Sequence, residues 1–454
     1  LAGSGIAAGA IASRHIAKLC GYENAIGLDM GGTSCDVSLV YGGDLRVTKD
    51  WFIEFGYPIR FPSIEVLSIG AGGGSLAWID DDGSLHSGPQ SAGADPGPAC
   101  YGRGNTTPTT TDANLMLGRL GEELAGGKIT LDQKAAAQAV FSGIAEPLEL
   151  TTIDAAKAIV SVANANMADA VRLISISRGY DPRDFALVAF GGAGGQHACA
   201  IAEELGVSTV LCPSDAGLLS ARGLREAVME RFAERQILQP LGTLGQALCD
   251  IFAELEASAL GSLKAEGFAD KQIIVRRRLV SLRHEGQEST EEIAFDTTID
   301  LATAFRERYE NLFGYWPDNK SIEVVSARVV ASTHPPSVAT ESFTDPTGQT
   351  VNRPILDRES LNIGQCIKGP AVVQDRFSTL GIDAGWVGTL GSEGTLKLTR
   401  SSEAPEASDG AHSPLVELEL FTNRFATIVE EMGQLLQRTA VSTNVKERHD
   451  YSCA

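Results

Sequence analysis

The sequence predicts an α/β lobe followed by a smaller α+β domain, and three observations carry that prediction. Residues 27–40, GLDMGGTSCDVSLV, read as strand, tight turn and strand with an acid at the bend. Residues 185–212 read as a buried strand, a glycine run, a helix and a second strand. From residue 236 the texture changes: helical stretches (244–266, 300–313) alternate with strands (273–282, 322–333, 371–374, 395–399), and Pro- and Thr-rich segments such as 334–350 separate them. The bounds that follow are 1–235 for the α/β lobe, 236–400 for the α+β domain, 401–414 for a polar linker, and 415–454 for a last segment.

Composition narrows the classes of function. A chain of 454 residues, 43% hydrophobic and 21% charged, has the make-up of a soluble globular protein with two or three domains. With 58 acidic against 37 basic residues the formal charge is -21, which argues against nucleic acid, since a phosphate backbone is held by clustered Lys and Arg. Eight scattered cysteines, with no Cys-x-x-Cys, suit reduced thiols and a cytoplasmic location better than disulfides or zinc. No apolar run reaches membrane-spanning length, so no membrane is expected as a partner. The start, LAGSGIAAGA, lacks the charged n-region of a signal peptide and an initiator Met, which hints at a chain cut from something longer.

Taken in order, residues 5–19 form a small-residue helix with Ile6, Ala10, Ile11, Ile16 and Leu19 on its apolar side, stopped by Gly21. The hairpin at 27–40 follows. Gly31 and Gly32, free to take positive φ, close it and turn successive amides toward one spot. Such a nest binds anionic oxygen; Asp29 and Asp36 could hold a hydrated Mg²⁺, and Thr33 could donate to a phosphate. An ordinary Gly-Gly hairpin explains the same residues. The run 70–75, GAGGGS, has no Gly-Lys-Ser/Thr and is a flexible or close-approach loop rather than a P-loop. Residues 91–104 are too rich in Gly and Pro for a regular element. Asp112, before the apolar Leu115, Leu117 and Leu120, is either a helix N-cap or a site acid. Cys100 has no His placed beside it by sequence, and an inert thiol is its default.

In the helix at 154–177, Ile159, Val162, Ala163, Met167, Ala170 and Ile174 share one face; Asn164, Asn166 and Asp169 could reach a site, with solvated positions as the default. The glycines at 191–195 lead into a helix at 196–205 whose N-terminus would sit beside an anion or ribose. A dinucleotide fingerprint would need Gly or Ala at 197, where His197 stands. Beyond the linker, Phe421, Phe425, Ile428, Met432 and Leu435 make an apolar helix stripe that needs a partner.

Together, Asp-Met-Gly-Gly-Thr between two strands and a later strand, Gly-Gly and helix are the phosphate and adenosine signatures of the actin-like (ribonuclease H-like) ATPase superfamily. The flanking motifs are closer still. The chain resembles the hydantoinase A/5-oxoprolinase family at 27–40, IGAGGGS (69–75), SAGADPGPACYGRG (91–104), TDAN (111–114), DPRDF (181–185) and AFGGAG (189–194) with His197. The likeness runs over roughly residues 1–400. Residues 415–454, with Glu431, Arg438, Asn444, Lys446 and Asp450 in matching motifs, look like the opening of a hydantoinase B part.

The resemblance implies one lobe of an actin-like ATPase, and ATP-dependent hydrolysis of a cyclic amide of 5-oxoproline or hydantoin type through phosphorylation of the amide oxygen. ATP and Mg²⁺ would be the cofactors. Asp29, Gly31, Gly32, Thr33 and Asp36 would hold phosphates and metal, with Asp29 and Asp36 as the metal ligands; Gly191, Gly192 and Gly194 would hold adenosine. Asp29 and Asp112 are the candidate catalytic acids; Asp95, Cys100 and Asn114 match family motifs without an assigned role. Expected partners are the cyclic amide and a hydantoinase B-type domain or subunit, in a homo- or hetero-oligomer. The family also includes ATP-dependent ketone (acetone or acetophenone) carboxylases, and an inactive fragment is the non-enzyme alternative. The family carries a first lobe, with its own phosphate loop, ahead of the point where this chain begins. The hairpin turn and the loop at 191–195 are expected to face one another across a cleft within about 15 Å, the length of an extended nucleotide.

Overall fold

The computed structural model describes residues 4–48, 51–53, 57–59, 63–287, 289–318, 320–334 and 355–401, with scattered positions between 418 and 436. The chain divides into two compact units: Leu1–Ile176 with Tyr180–Glu226 and Val338–Ala426, and Ser177–Gly179 with Ala227–Ser337 and Thr427–Ala454.

The first unit is built on a nine-stranded mixed sheet. Helix α1 (Ser4–Leu19) buries Ala8, Ala10, Ala12, Ile16 and Leu19, small enough to lie close on the sheet, and Gly21 at φ +81 ends it. Strand β1 (Ala25–Met30) turns back into β2 (Cys35–Tyr41) with Asp29 opposite Asp36 and Met30 opposite Cys35. Further along come α2 (Thr110–Met116), α3 (Thr152–Ser175), β3 (Ala186–Phe190), α4 (Ala198–Leu205), β4 (Thr209–Cys212) and α5 (Leu219–Arg225). Strand β1 pairs parallel with β3, and β3 parallel with β4. Their carboxyl ends therefore share one edge of the sheet, the edge where open α/β sheets bind ligands.

The period-2 alternation of β1 divides its side chains between two cores. Leu28 and Met30 join Met167, Val171 and Ile174 of α3 and Ile201 and Leu205 of α4 on one face. Ala25 lies on the other, with Ile16 and Leu19 of α1, Phe190 and Leu219. Asp29, in step with Ala25, is thereby directed under α1.

Most helices and strands fall within a few residues of the sequence expectation, but the domain bounds do not. Cys366–Lys368, Trp386–Leu390 and Leu396–Arg400 extend the first unit's sheet beyond β4, Val210 pairing with Leu398. Trp386, Leu390, Leu396 and Leu398 are buried in its core. A contiguous domain at 236–400 is thus corrected: these strands are assigned by pairing over some two hundred residues of chain, which local pattern does not reveal. The boundary at 235 also moves, because Glu230–Pro240 is a single strand of the second unit.

That second unit is α+β as expected. Its four antiparallel strands run in the order Glu230–Pro240, Ile322–Thr333, Ile273–His284, Glu291–Ala294. Gln246–Ala265 and Leu301–Phe313 cover the sheet, burying Leu248, Phe252, Leu255, Phe305 and Tyr309 against Val280, Leu282 and Val329. The linker at 402–414, the separator at 335–350, Leu435 and residues 437–454 lie outside the described residues. Of the expected stripe, Phe421, Phe425, Ile428 and Met432 are helical and exposed. Among the described residues no helix is long and apolar enough to cross a membrane.

Candidate functional site

The turn after β1 is closed by one bond, Gly31 N to Ser34 O at 3.0 Å. Neither Gly31 nor Gly32 takes the positive φ expected of them. Their small size serves openness instead: a Cβ on either would meet nothing within 4 Å, and Gly32 and Thr33 are exposed. The underside of the turn is held by the 70–75 loop. Gly73 N donates to Gly31 O at 3.0 Å and Gly74 N to Gly32 O at 2.6 Å. A Cβ on Gly72 would lie 2.5 Å from Thr33 N, so this loop is a close backbone approach rather than a flexible one. Among the described residues no acceptor takes the N–H of Gly32 or Thr33.

Asp29 sits below the turn, partly buried. Ser220 Oγ on α5 donates to its Oδ2 at 3.1 Å, and Gly9 on α1 admits the carboxylate where a Cβ would stand 3.2 Å away. Burial pushes Asp29 up to about 6, the Ser220 bond opposes that, and the neighbouring Asp36 adds to it. Asp36 Oδ1 is buried with no hydrogen-bond partner. Two adjacent carboxylates, one of them carrying an orphaned oxygen, fit a hard divalent cation that keeps most of its waters. No group of three or more His, Cys, Asp or Glu with metal-site geometry exists among the described residues, so the pair would share the ion with water and ligand.

The second glycine segment lies beside the first. Gly191, at φ +81, is pressed against Met30 O, and a Cβ there would stand 2.6 Å from Asp29 Oδ1; only glycine fits. A Cβ on Gly194 would be 3.4 Å from Leu28 O, and one on Gly192 would be 3.7 Å from Phe377 O. The two loops are thus neighbours on the carboxyl edge of β1 and β3. The helix expected at 196–205 is α4, which begins two residues later at Ala198, and a short helical turn at Gly191–Gly194 precedes it.

Asp112 is not placed as a site acid. It is fully buried, and its carboxylate accepts from Ala99 N (3.1 Å), Cys100 N (2.7 Å), Thr109 N (2.9 Å) and Thr109 Oγ1 (2.7 Å). These bonds complete the capping box of α2 and fasten the 98–100 segment to it. Cys100 is buried beside it, its thiol raised first by burial and then by Asp112, as an inert thiol should be. Asn164 is buried, not solvated, and accepts from His197 Nδ1 at 2.7 Å. Sequence reasoning missed Ser220, which no motif marks; Thr111, Asn114 and His197 were visible only as motif members.

A mixed-sheet α/β lobe with a strand-turn-strand acid and a glycine loop on one edge defines an ATPase-type core of the actin-like class. The family profile described as Hydantoinase/oxoprolinase matches residues 1–231, and the chain belongs to that family. The profile Hydantoinase B/oxoprolinase matches residues 415–454. The caprolactamase subunit alpha of Pseudomonas jessenii is 36% identical over 435 residues, covering 87% of this chain and 61% of that one. The 5-oxoprolinase 1 of Arabidopsis thaliana is 30% identical over 471 residues, covering 94% and 36%. The crystal structure of ATP-dependent caprolactamase from P. jessenii superposes with a TM-score of 0.77 at 33% identity, covering 87% of this chain and 61% of that one. Nucleotide-free acetone carboxylase shares the fold, with a TM-score of 0.63 at 24% identity and the same two coverages. The chain spans from 35% to 62% of the length of its curated relatives.

Proposed function

We propose that this chain carries the nucleotide site of an ATP-dependent cyclic-amide hydrolase. The observation that carries the reading is the convergence of the 31–33 turn, the Asp29 and Asp36 pair and the 191–194 loop on one sheet edge. In this reading Gly32 and Thr33 donate to phosphate oxygens, and Gly191, Gly192 and Gly194 let the nucleoside approach the backbone. Asp29 and Asp36 would hold a Mg²⁺ whose chemistry is to neutralise phosphate charge. The caprolactamase and 5-oxoprolinase relatives support a lactam-type substrate.

The chemical logic is activation of an unreactive amide. The ring carbonyl oxygen takes the γ-phosphoryl group with release of ADP. Water then adds to the activated carbon and the C–N bond breaks, its electron pair and a proton going to the nitrogen; the open-chain acyl phosphate left behind is cleaved by a second water to carboxylate and inorganic phosphate. The residues of this chain bind and orient; stabilisation of phosphoryl transfer is almost wholly positioning and electrostatics. The match at 415–454 supports a hydantoinase B-type part as partner. The acetone carboxylase fold favours a second reading, ATP-dependent carboxylation of a ketone. Full-length protein containing this chain, supplied with ATP and either 5-oxoproline, caprolactam, a hydantoin, or acetone with bicarbonate, separates the two by which substrate stimulates ADP release. Stimulation by none would overturn both.

A further inference from the structure

Helix α2 touches both candidate nucleotide loops through one face. Thr111 and Asn114, three residues apart, lie on the same side of the helix. Thr111 N and Oγ1 both donate to Gly73 O, at 2.8 and 2.7 Å, and Gly73 in turn donates to Gly31 O in the hairpin turn. Asn114 Nδ2 meets His197 Nε2 at 3.1 Å, and His197 ends the 191–196 segment. Beyond the helix end, Arg119 Nη1 donates to Gln196 O at 2.9 Å. The helix itself is immobilised at its start by the four bonds to Asp112.

His197 is fully buried and Asn114 is 1% exposed. With Asn114 donating to Nε2, the ring proton must sit on Nδ1, where it is donated to Asn164 Oδ1 on α3. Burial, helped by Arg119, pushes the imidazole down to about 3, so it stays neutral and keeps one acceptor and one donor. A neutral ring locked at both nitrogens suits a fixed joint rather than an acid or base.

We propose that α2 is the spacer that sets the phosphate turn against the 191–196 loop, with His197 a positioning residue that passes its placement to the glycines. The proposal rests on the reading that both loops hold one nucleotide. A triphosphate nucleotide must satisfy both loops at once, whereas adenosine or tripolyphosphate needs only one.

The test measures TNP-ATP binding by fluorescence, with competition by ATP, adenosine and tripolyphosphate, for wild type, His197→Ala, His197→Gln and Thr111→Val. Expected are an ATP affinity about tenfold weaker in His197→Ala and Thr111→Val, a change of the size set by one lost buried hydrogen bond. Adenosine and tripolyphosphate should change by less than about twofold on the same scale. His197→Gln, whose amide again offers an acceptor and a donor, should recover part of the loss. Thr111→Val keeps shape and fold if His197→Ala melts early. Unchanged ATP binding in both variants, or equal weakening of all three ligands together with a lowered Tm, overturns the spacer. Failure of wild type to bind ATP overturns the nucleotide reading, and the spacer with it.

Discussion

Replacing Asp29 by asparagine should change how stability depends on pH, with a sign and size that follow from the site. The folded carboxyl is raised from 3.8 to about 6, chiefly by burial beneath α1. A raised carboxyl makes the folded state the better proton binder, so its contribution is fully present below the unfolded value and is lost as pH rises through about 6. At 1.36 kcal/mol per pH unit the difference is at most about 3 kcal/mol. About half of it, about 1.4 kcal/mol, is lost between pH 5 and pH 7.5, which for a unit of this size corresponds to a fall on the order of 3 °C in Tm. The amide in Asp29→Asn is neutral throughout and nearly isosteric, so the variant should lack this fall and exceed wild type at pH 7.5. His15, lowered mainly by burial, works in the opposite direction as pH rises toward its ordinary value, and it cancels in the wild-type minus variant difference. Differential scanning calorimetry with EDTA, from pH 5 to 7.5, measures it. Adding Mg²⁺ at pH 7.5 should then raise the wild-type Tm and leave Asp29→Asn unmoved, since a ligand of the ionised pair stabilises only the protein that has it. Parallel Tm profiles for the two proteins, with no response to Mg²⁺, would refute the argument.

Asp112→Ala should destabilise the first unit by about 3 to 5 kcal/mol, because three backbone donors and a hydroxyl lose a buried carboxylate; urea unfolding of both proteins checks this, and a loss below about 1 kcal/mol would contradict the cap assignment. Gly191→Ala, strained at φ +81 and pressed on Met30 O, should cost on the order of 2 to 4 kcal/mol, while Gly192→Ala, with its nearest atom at 3.7 Å, should fall within about 1 kcal/mol of wild type. Deletion of 401–454 removes Phe421 (57% exposed) and Phe425 (65% exposed); light scattering should show less self-association, with the Tm of the remainder unchanged. A clean monomer before deletion and a lowered Tm after it would mean that the helix is part of the folded core.

Much of the site was legible because its signals are local. A strand ending on Met30, two glycines and a strand resuming at Cys35 can hardly form anything but this hairpin, and the apolar runs at 186–190 and 209–212 are buried strands by pattern alone. The reason for the glycines was less legible. Gly31 and Gly32 were expected for their φ and instead keep the turn open, while Gly191 needs both the φ and the space.

Sequence by itself determined the α/β lobe, the α+β unit, the family and the residues that gather on the carboxyl edge of the sheet, since each is written in hydrophobic period and short motifs. Tertiary structure alone decided what those residues do for one another. It paired Leu398 with Val210 across the expected domain boundary, turned Asp112 inward to its cap, and set Ser220 on Asp29 from 191 residues away. It also closed Asn114, His197 and Asn164 into one buried chain. The physical reason is that a polar side chain's role is fixed by the partner it must find once water is excluded, and those partners come from segments that no local pattern links.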